Sequence, residues 1–146
     1  MVIELEVRRF LDLEAFEHGL QLFSFRLWTR VQFQTTTGWT PVVAALIDTG
    51  APFSVVPRNL WSDLEVEGRF ATHLRGLVPF KSAVLNASLG QVTYIVSDLR
   101  RRLPPMPSWA LLAEGDVPVI LGCAGFLDRV RLVLDASHQR GSIELA

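Results

Sequence analysis

The sequence is poor in cysteine and histidine, has almost no net charge, and lacks any long uninterrupted apolar run. One cysteine, Cys123, excludes an intrachain disulfide. With only three scattered histidines, His18, His73 and His138, it leaves no ligand set for a structural zinc, and no metal or other cofactor is expected. Fourteen Lys+Arg stand against fifteen Asp+Glu, a formal charge of −1. That balance argues against a nucleic-acid or anionic-membrane partner, whose electrostatic footprint is usually basic. No stretch approaches the roughly 18 apolar residues that read as a bilayer span. A secretory signal core is also missing, because Glu4, Glu6, Asp12, Glu14 and Glu17 interrupt the first twenty residues. The expected compartment is therefore cytoplasmic. Fixed-period repeats, low-complexity tracts and internal linkers are absent too.

What is present is core material. Of 146 residues, 49% are apolar and 20% charged, which suits one folded domain over 1–146 and no disorder. A mean hydropathy of +0.29 is high for a small soluble monomer and points to apolar surface buried against a partner.

The periodicity is mostly that of strands. Val2 to Val7 alternates apolar and charged. Phe10 to His18 reads as a short helix ending at Gly19, so residues 1–20 form an N-terminal extension to a core lobe over 21–146. Leu22 to Gln34 alternates, with Leu27, Thr29, Val31 and Phe33 on one face, Thr35 to Gly38 turns, and Trp39 to Ile47 returns. Its continuous apolar stretch, Val42 to Ile47, predicts a strand buried on both faces. Phe53 to Val56 is strand-like, and Pro57 opens a short helix to Leu64. Residues 69–97 read as two or three strands, broken near Arg75 to Pro79 and again at Leu89-Gly90. Asp98 to Pro107 is a polar, proline-rich loop. Val117 to Leu121, Val130 to Leu134 and Ser142 to Leu145 are strands, with a helical turn over Ala124 to Asp128. Many short strands and one or two short helices make a mainly β barrel or sandwich.

Two segments carry chemistry. One is Leu46-Ile47-Asp48-Thr49-Gly50-Ala51, followed by Ser54; the other is Ile120-Leu121-Gly122. An Asp-Thr-Gly alone also reads as an Asx turn closing a hairpin. Together, in this order and after an apolar strand, the two segments resemble the single-lobe, retropepsin-like aspartic proteases. The likeness runs from about Leu22 to Leu145. It implies a small closed β-barrel of the acid-protease type, homodimeric, with Asp48 catalytic and Thr49, Gly50, Ala51, Ser54 and Gly122 supporting its loop. By the same likeness Thr49 hydrogen-bonds across the dimer, and Leu74, Arg75, Gly76, Leu77 and Val78 form a substrate-binding flap.

Peptide hydrolysis by this chemistry needs one ionised carboxylate to deprotonate water and one protonated carboxyl to polarise the carbonyl. Only one Asp-Thr-Gly exists here, so the second Asp48 is expected from a second chain across a two-fold axis. The implied function is an aspartic endopeptidase acting on a peptide or protein substrate. The alternative is a non-catalytic dimerisation or peptide-binding module on the same fold.

Two departures from the family matter. Its retroviral members pair an acidic residue after Asp-Thr-Gly-Ala with an arginine after the later glycine, where this chain has Pro52 and Cys123. Losing both partners leaves no orphan charge. The interface is then expected to use apolar contacts and the terminal strands, Val2 to Val7 and Ser142 to Leu145. Cys123 is expected as a small buried hydrophobe, and Arg100 to Arg102 as a solvated loop.

Overall fold

The computed structural model describes residues 1–74 and 85–146. In chain order the elements are β1 (Val2–Leu11), α1 (Leu13–Glu17), β2 (Phe23–Phe33), β3 (Val43–Ile47), β4 (Ser54–Pro57), α2 (Arg58–Trp61), β5 (Glu67–Leu74), β6 (Leu85–Ser97), β7 (Met106–Ala113), β8 (Val119–Leu121), β9 (Val130–Asp135) and β10 (Arg140–Leu145). A 3-10 turn, Leu127–Arg129, precedes β9.

The strands form one sheet in the order β5-β6-β7-β4-β8-β3-β2-β1-β10-β9, and an extra pairing of β6 with β2 closes it. Strand β2 makes the closure by dividing one edge. Its first half, Phe23 to Trp28, pairs with β1, and its second half, Arg30 to Phe33, pairs with β6. The result is a mostly β fold with a closed barrel of six strands, β5 lying outside on β6 and β1-β10-β9 outside on β2.

The core follows from side-chain alternation. On β2, Leu27, Thr29, Val31 and Phe33 point inward, the face that the sequence pattern picked out. Phe33, Tyr94 and Phe126 form a chain of tilted rings with centroids 5.9 and 6.3 Å apart. The Tyr94 hydroxyl donates to the Gly125 carbonyl at 3.2 Å, so its polar end is satisfied inside. Burial pushes its phenol well above the ordinary range. Ile3 and Leu5 of β1 belong to this core.

Several expectations are corrected. Strand β3 is not buried on both faces: Ala45 and Ile47 are buried, whereas Ala44 is exposed. The strand enclosed on all sides is β4, whose four residues are all buried. No break occurs at Leu89-Gly90, which lie inside continuous β6; Gly90 is there for close packing, since a Cβ on it would meet Val66 Cγ1 at 2.6 Å. Strand β7 begins inside the proline-rich loop and was not legible as a strand. Phe10 and Leu11 extend β1, leaving α1 only five residues, capped by the Asp12 carboxylate on the Ala15 N–H at 2.9 Å. The terminal strands pair with each other inside one chain, Val2 to Leu5 against Gly141 to Glu144, rather than waiting for a partner.

Asp98 anchors the turn beside β1. Its carboxylate accepts the backbone N–H groups of Glu4 (3.0 Å), Arg100 (2.6 Å) and Arg101 (2.7 Å). Burial pushes its pKa up, but these donors and the Arg101 charge outweigh it and hold the carboxyl below its usual value. A pKa lowered in the folded state contributes stability above the unfolded value, about 3.9, that is lost as pH falls through the folded value. Asp98→Ala is expected to lower Tm at pH 7, with the gap to wild type narrowing below about pH 4. Thermal melts across that range check it; a pH-independent gap would show that the charge is not what matters.

Candidate active site

Asp48 sits where β3 runs out. The Asp48 N–H donates to the Leu121 carbonyl at 3.0 Å, extending the parallel β3–β8 ladder by one step. The chain then turns: the Gly50 N–H donates to Asp48 Oδ1 at 2.8 Å and the Ala51 N–H to the Asp48 carbonyl at 3.2 Å. This is an Asx turn, but it closes no hairpin. Strands β3 and β4 lie on opposite sides of β8, so the loop between them arches over the end of β8.

Beneath the arch runs Gly122. A Cβ there would collide with the Phe53 carbonyl oxygen and lie 2.7 Å from the Ala51 oxygen. Only glycine fits, for reasons of space. The two segments are laced together: the Cys123 N–H donates to the Ala51 carbonyl (2.8 Å) and the Ala124 N–H to the Pro52 carbonyl (2.9 Å). The Gly122 N–H donates to Ser54 Oγ at 3.1 Å. Ser54 is 2% exposed and Ala51 also 2%, so the underside of the loop is dry.

The upper side is open. Asp48 is half-buried, and Thr49 and Gly50 are exposed. Asp48 Oδ1 is occupied by the Gly50 N–H, and the other carboxylate oxygen has no hydrogen bond among the described residues. A carboxylate with one oxygen held by a backbone N–H and the other open to solvent has a free position from which a proton could be taken from water.

The structure thus brings together Asp48, Thr49, Gly50, Ala51, Ser54 and Gly122, six residues split between two distant segments. Leu74 ends β5, away from this cluster in sequence, while Arg75, Gly76, Leu77 and Val78 lie outside the described residues. Cys123 corrects its expectation: it is exposed, with its Sγ 3.3 Å from the Thr49 carbonyl. A cavity of about 610 Å³ lies between β1, β2, β3 and the Asp98 turn, but Asp48 does not line it.

Removing the Ser54 hydroxyl should leave the buried Gly122 N–H without an acceptor. Ser54→Ala is expected to cost about 1–3 kcal/mol, the usual penalty for an orphaned buried donor. Urea unfolding measures it. A loss under about 0.5 kcal/mol, the scale of an ordinary surface change, would mean that this bond does not secure the arch.

No protein-family profile and no curated protein matches the chain. Solved structures similar in fold include EIAV protease complexed with the inhibitor HBY-793, at 22% identity over 66% of this chain and 81% of that one, TM-score 0.45. A retropepsin-like aspartic protease from Rickettsia conorii is similar at 12% identity over 95% of this chain and 92% of that one, TM-score 0.46.

Proposed function

We propose that this chain is an aspartic endopeptidase whose catalytic pair is Asp48 from two copies. The observation that carries the reading is the arch: the β3–β4 loop bearing Asp48 passes over Gly122 and is laced to it from below, leaving a carboxylate oxygen free above. Nothing in an ordinary Asx turn calls for that construction.

In the assembled pair, two carboxylates a few ångströms apart share one proton, because both cannot be ionised cheaply. The ionised Asp48 takes a proton from water as the oxygen attacks the peptide carbonyl carbon. The protonated one donates to the carbonyl oxygen, giving a neutral gem-diol. Collapse of the diol breaks the C–N bond: the first carboxyl passes its proton to the departing nitrogen, and a diol hydroxyl returns a proton to the second carboxylate as the C=O bond re-forms. The pair returns to its starting proton count. An extended peptide suits such a site, since its backbone can add to sheet edges while its side chains are read alternately.

The test is hydrolysis of a peptide library by the full chain, read by mass spectrometry, with and without a hydroxyl-containing transition-state analogue. Cleavage that the analogue blocks supports the reading. A dimer that binds peptides and cleaves none would instead be the non-catalytic module.

A further inference from the structure

The barrel end that carries Asp48 also carries a projecting arm. Strand β1 from Glu6 to Leu11 pairs only with β2 from Phe23 to Trp28. Strand β10 leaves β1 at Leu5, and β3 leaves β2 at Leu27. Beyond those points two strands and α1 stand with both edges unpaired among the described residues. A two-stranded hairpin alone is marginal in water.

This one is also apolar where it should be wet. Phe10, Leu13, Phe16, Leu20, Leu22 and Phe23 are all exposed, Leu13 to 73%. Scattered apolar side chains need no explanation; six on one projecting element, spread over both its faces, do.

The register sets where the arm points. Leu27 lies opposite Ile47, so Asp48 comes abreast of Arg26. The pairs Phe25–Arg9, Ser24–Phe10 and Phe23–Leu11 continue past that level. At about 3.4 Å per residue they carry the arm roughly 10 Å beyond the Asp48 position, before α1 adds its own length.

Its charges are sorted along its length. The guanidinium groups of Arg8, Arg9 and Arg26 lie over the rings of Trp28, Phe23 and Phe10. Glu6 holds Arg8 in a bidentate pair at 2.9 and 3.1 Å, so the positive charge of the waist comes from Arg9 and Arg26. The tip bears Asp12, Glu14 and Glu17. A surface positive at one end and negative at the other is complementary to itself turned through a two-fold axis.

Resting on the reading that Asp48 works in a two-fold pair, we propose that the arm is the clasp that makes the pair. Each arm lies antiparallel along its twin, acidic tip against arginine waist, and covers the other's exposed apolar side chains. A second copy fits better than a lipid surface, because the tip that would enter an anionic membrane first is acidic.

The experiment uses full-length chains in sedimentation velocity. One variant reverses the waist (Arg9→Glu with Arg26→Glu) and another reverses the tip (Glu14→Arg with Glu17→Arg); all four residues are exposed. Each variant alone is expected to self-associate at least ~10-fold more weakly than wild type, on the scale of close charge pairs turned repulsive. An equal mixture should recover wild-type association, since both tip–waist contacts are then attractive again. Variants that associate like wild type, a mixture that fails to recover, or a wild type that stays monomeric would each overturn the clasp. Flotation of monomeric wild type with phosphatidylserine vesicles would overturn it in favour of lipid. The peptidase assay on the same samples separates the two readings. Complementing arms without peptide hydrolysis would sink the aspartic mechanism and keep the clasp; hydrolysis by a dimer indifferent to both reversals would do the opposite.

Discussion

Asp48→Asn should abolish peptide hydrolysis and leave the folded chain and its self-association unchanged. The amide is nearly isosteric, and its oxygen can still accept the Gly50 N–H, which holds Asp48 Oδ1 at 2.8 Å. What it cannot do is take a proton from water. General acid–base groups contribute about 10²–10⁴-fold, and here both members of the pair are lost at once, so a fall in kcat/KM of at least ~10³ is expected. Stability should move little, because Asp48 is only half-buried and the asparagine oxygen can keep the Gly50 bond while the backbone bonds to Leu121, Cys123 and Ala124 are untouched. Circular dichroism, sedimentation and a quenched-peptide assay on the same preparation decide the matter. A variant that cleaves at the wild-type rate would clear Asp48 of any catalytic role. Loss of activity together with loss of fold would reassign it to holding the loop.

The second large effect is expected at Gly122. An added methyl would have nowhere to go, because its nearest neighbours are the backbone carbonyls of Phe53 and Ala51. Backbone on both sides cannot swing aside as a side-chain tip can. Gly122→Ala is therefore expected at the upper end of overpacking costs, about 3 kcal/mol. That is a large share of the 5–15 kcal/mol that holds a typical domain together. Activity per folded molecule should fall as well, since the displaced atoms belong to the loop carrying Asp48. Gly90→Ala is the matched control: its Cβ would also sit too close, but to Val66 Cγ1 and Leu112 Cδ1, which are side-chain ends. The control should cost about 1 kcal/mol, near the lower end of the same range. Urea titrations of the two variants give the comparison. Equal costs would show that the arch yields more easily than its hydrogen bonds imply.

The proposed clasp bears on how two copies of a chain with Pro52 and Cys123, rather than an ion pair, at these positions would be held together. In this chain β1 and β10 satisfy each other within one molecule, so terminal-strand exchange is not available to join two copies without breaking that ladder. An apolar arm with sorted charge supplies contact area and orientation together. It would also make association salt-sensitive, because its waist and tip are solvated.

How much of this could be read in the chain alone depends on the range of the interaction. Leu27, Thr29, Val31 and Phe33 were recognisable as an inward face because alternation is local and any strand of that composition must hide that side. Asp48-Thr49-Gly50 was legible because a polar turn after an apolar strand is a local anomaly, and Gly122 because it follows a second apolar run. Strand β7 was not legible: Pro107 argues against a strand locally. Its exposed side in the barrel tolerates a proline, and pairing with β4 and β6 supplies the rest. Burial was misjudged at β3 for the same reason. Val42 to Ile47 looked enclosed, but whether a strand is covered on both faces depends on its neighbours in the sheet, and β4 holds the enclosed place. By itself, then, the sequence determined the strand-rich class, the inward faces and the residue types of the site, all consequences of short-range pattern and side-chain chemistry. Only the tertiary structure decided that β8 passes between β3 and β4, that Gly122 lies under the Asp48 loop, that Cys123 emerges into solvent, and that the β1–β2 arm leaves the barrel beside the carboxylate. Those are facts of strand order and register, settled by which distant segments pair, and no local pattern encodes them.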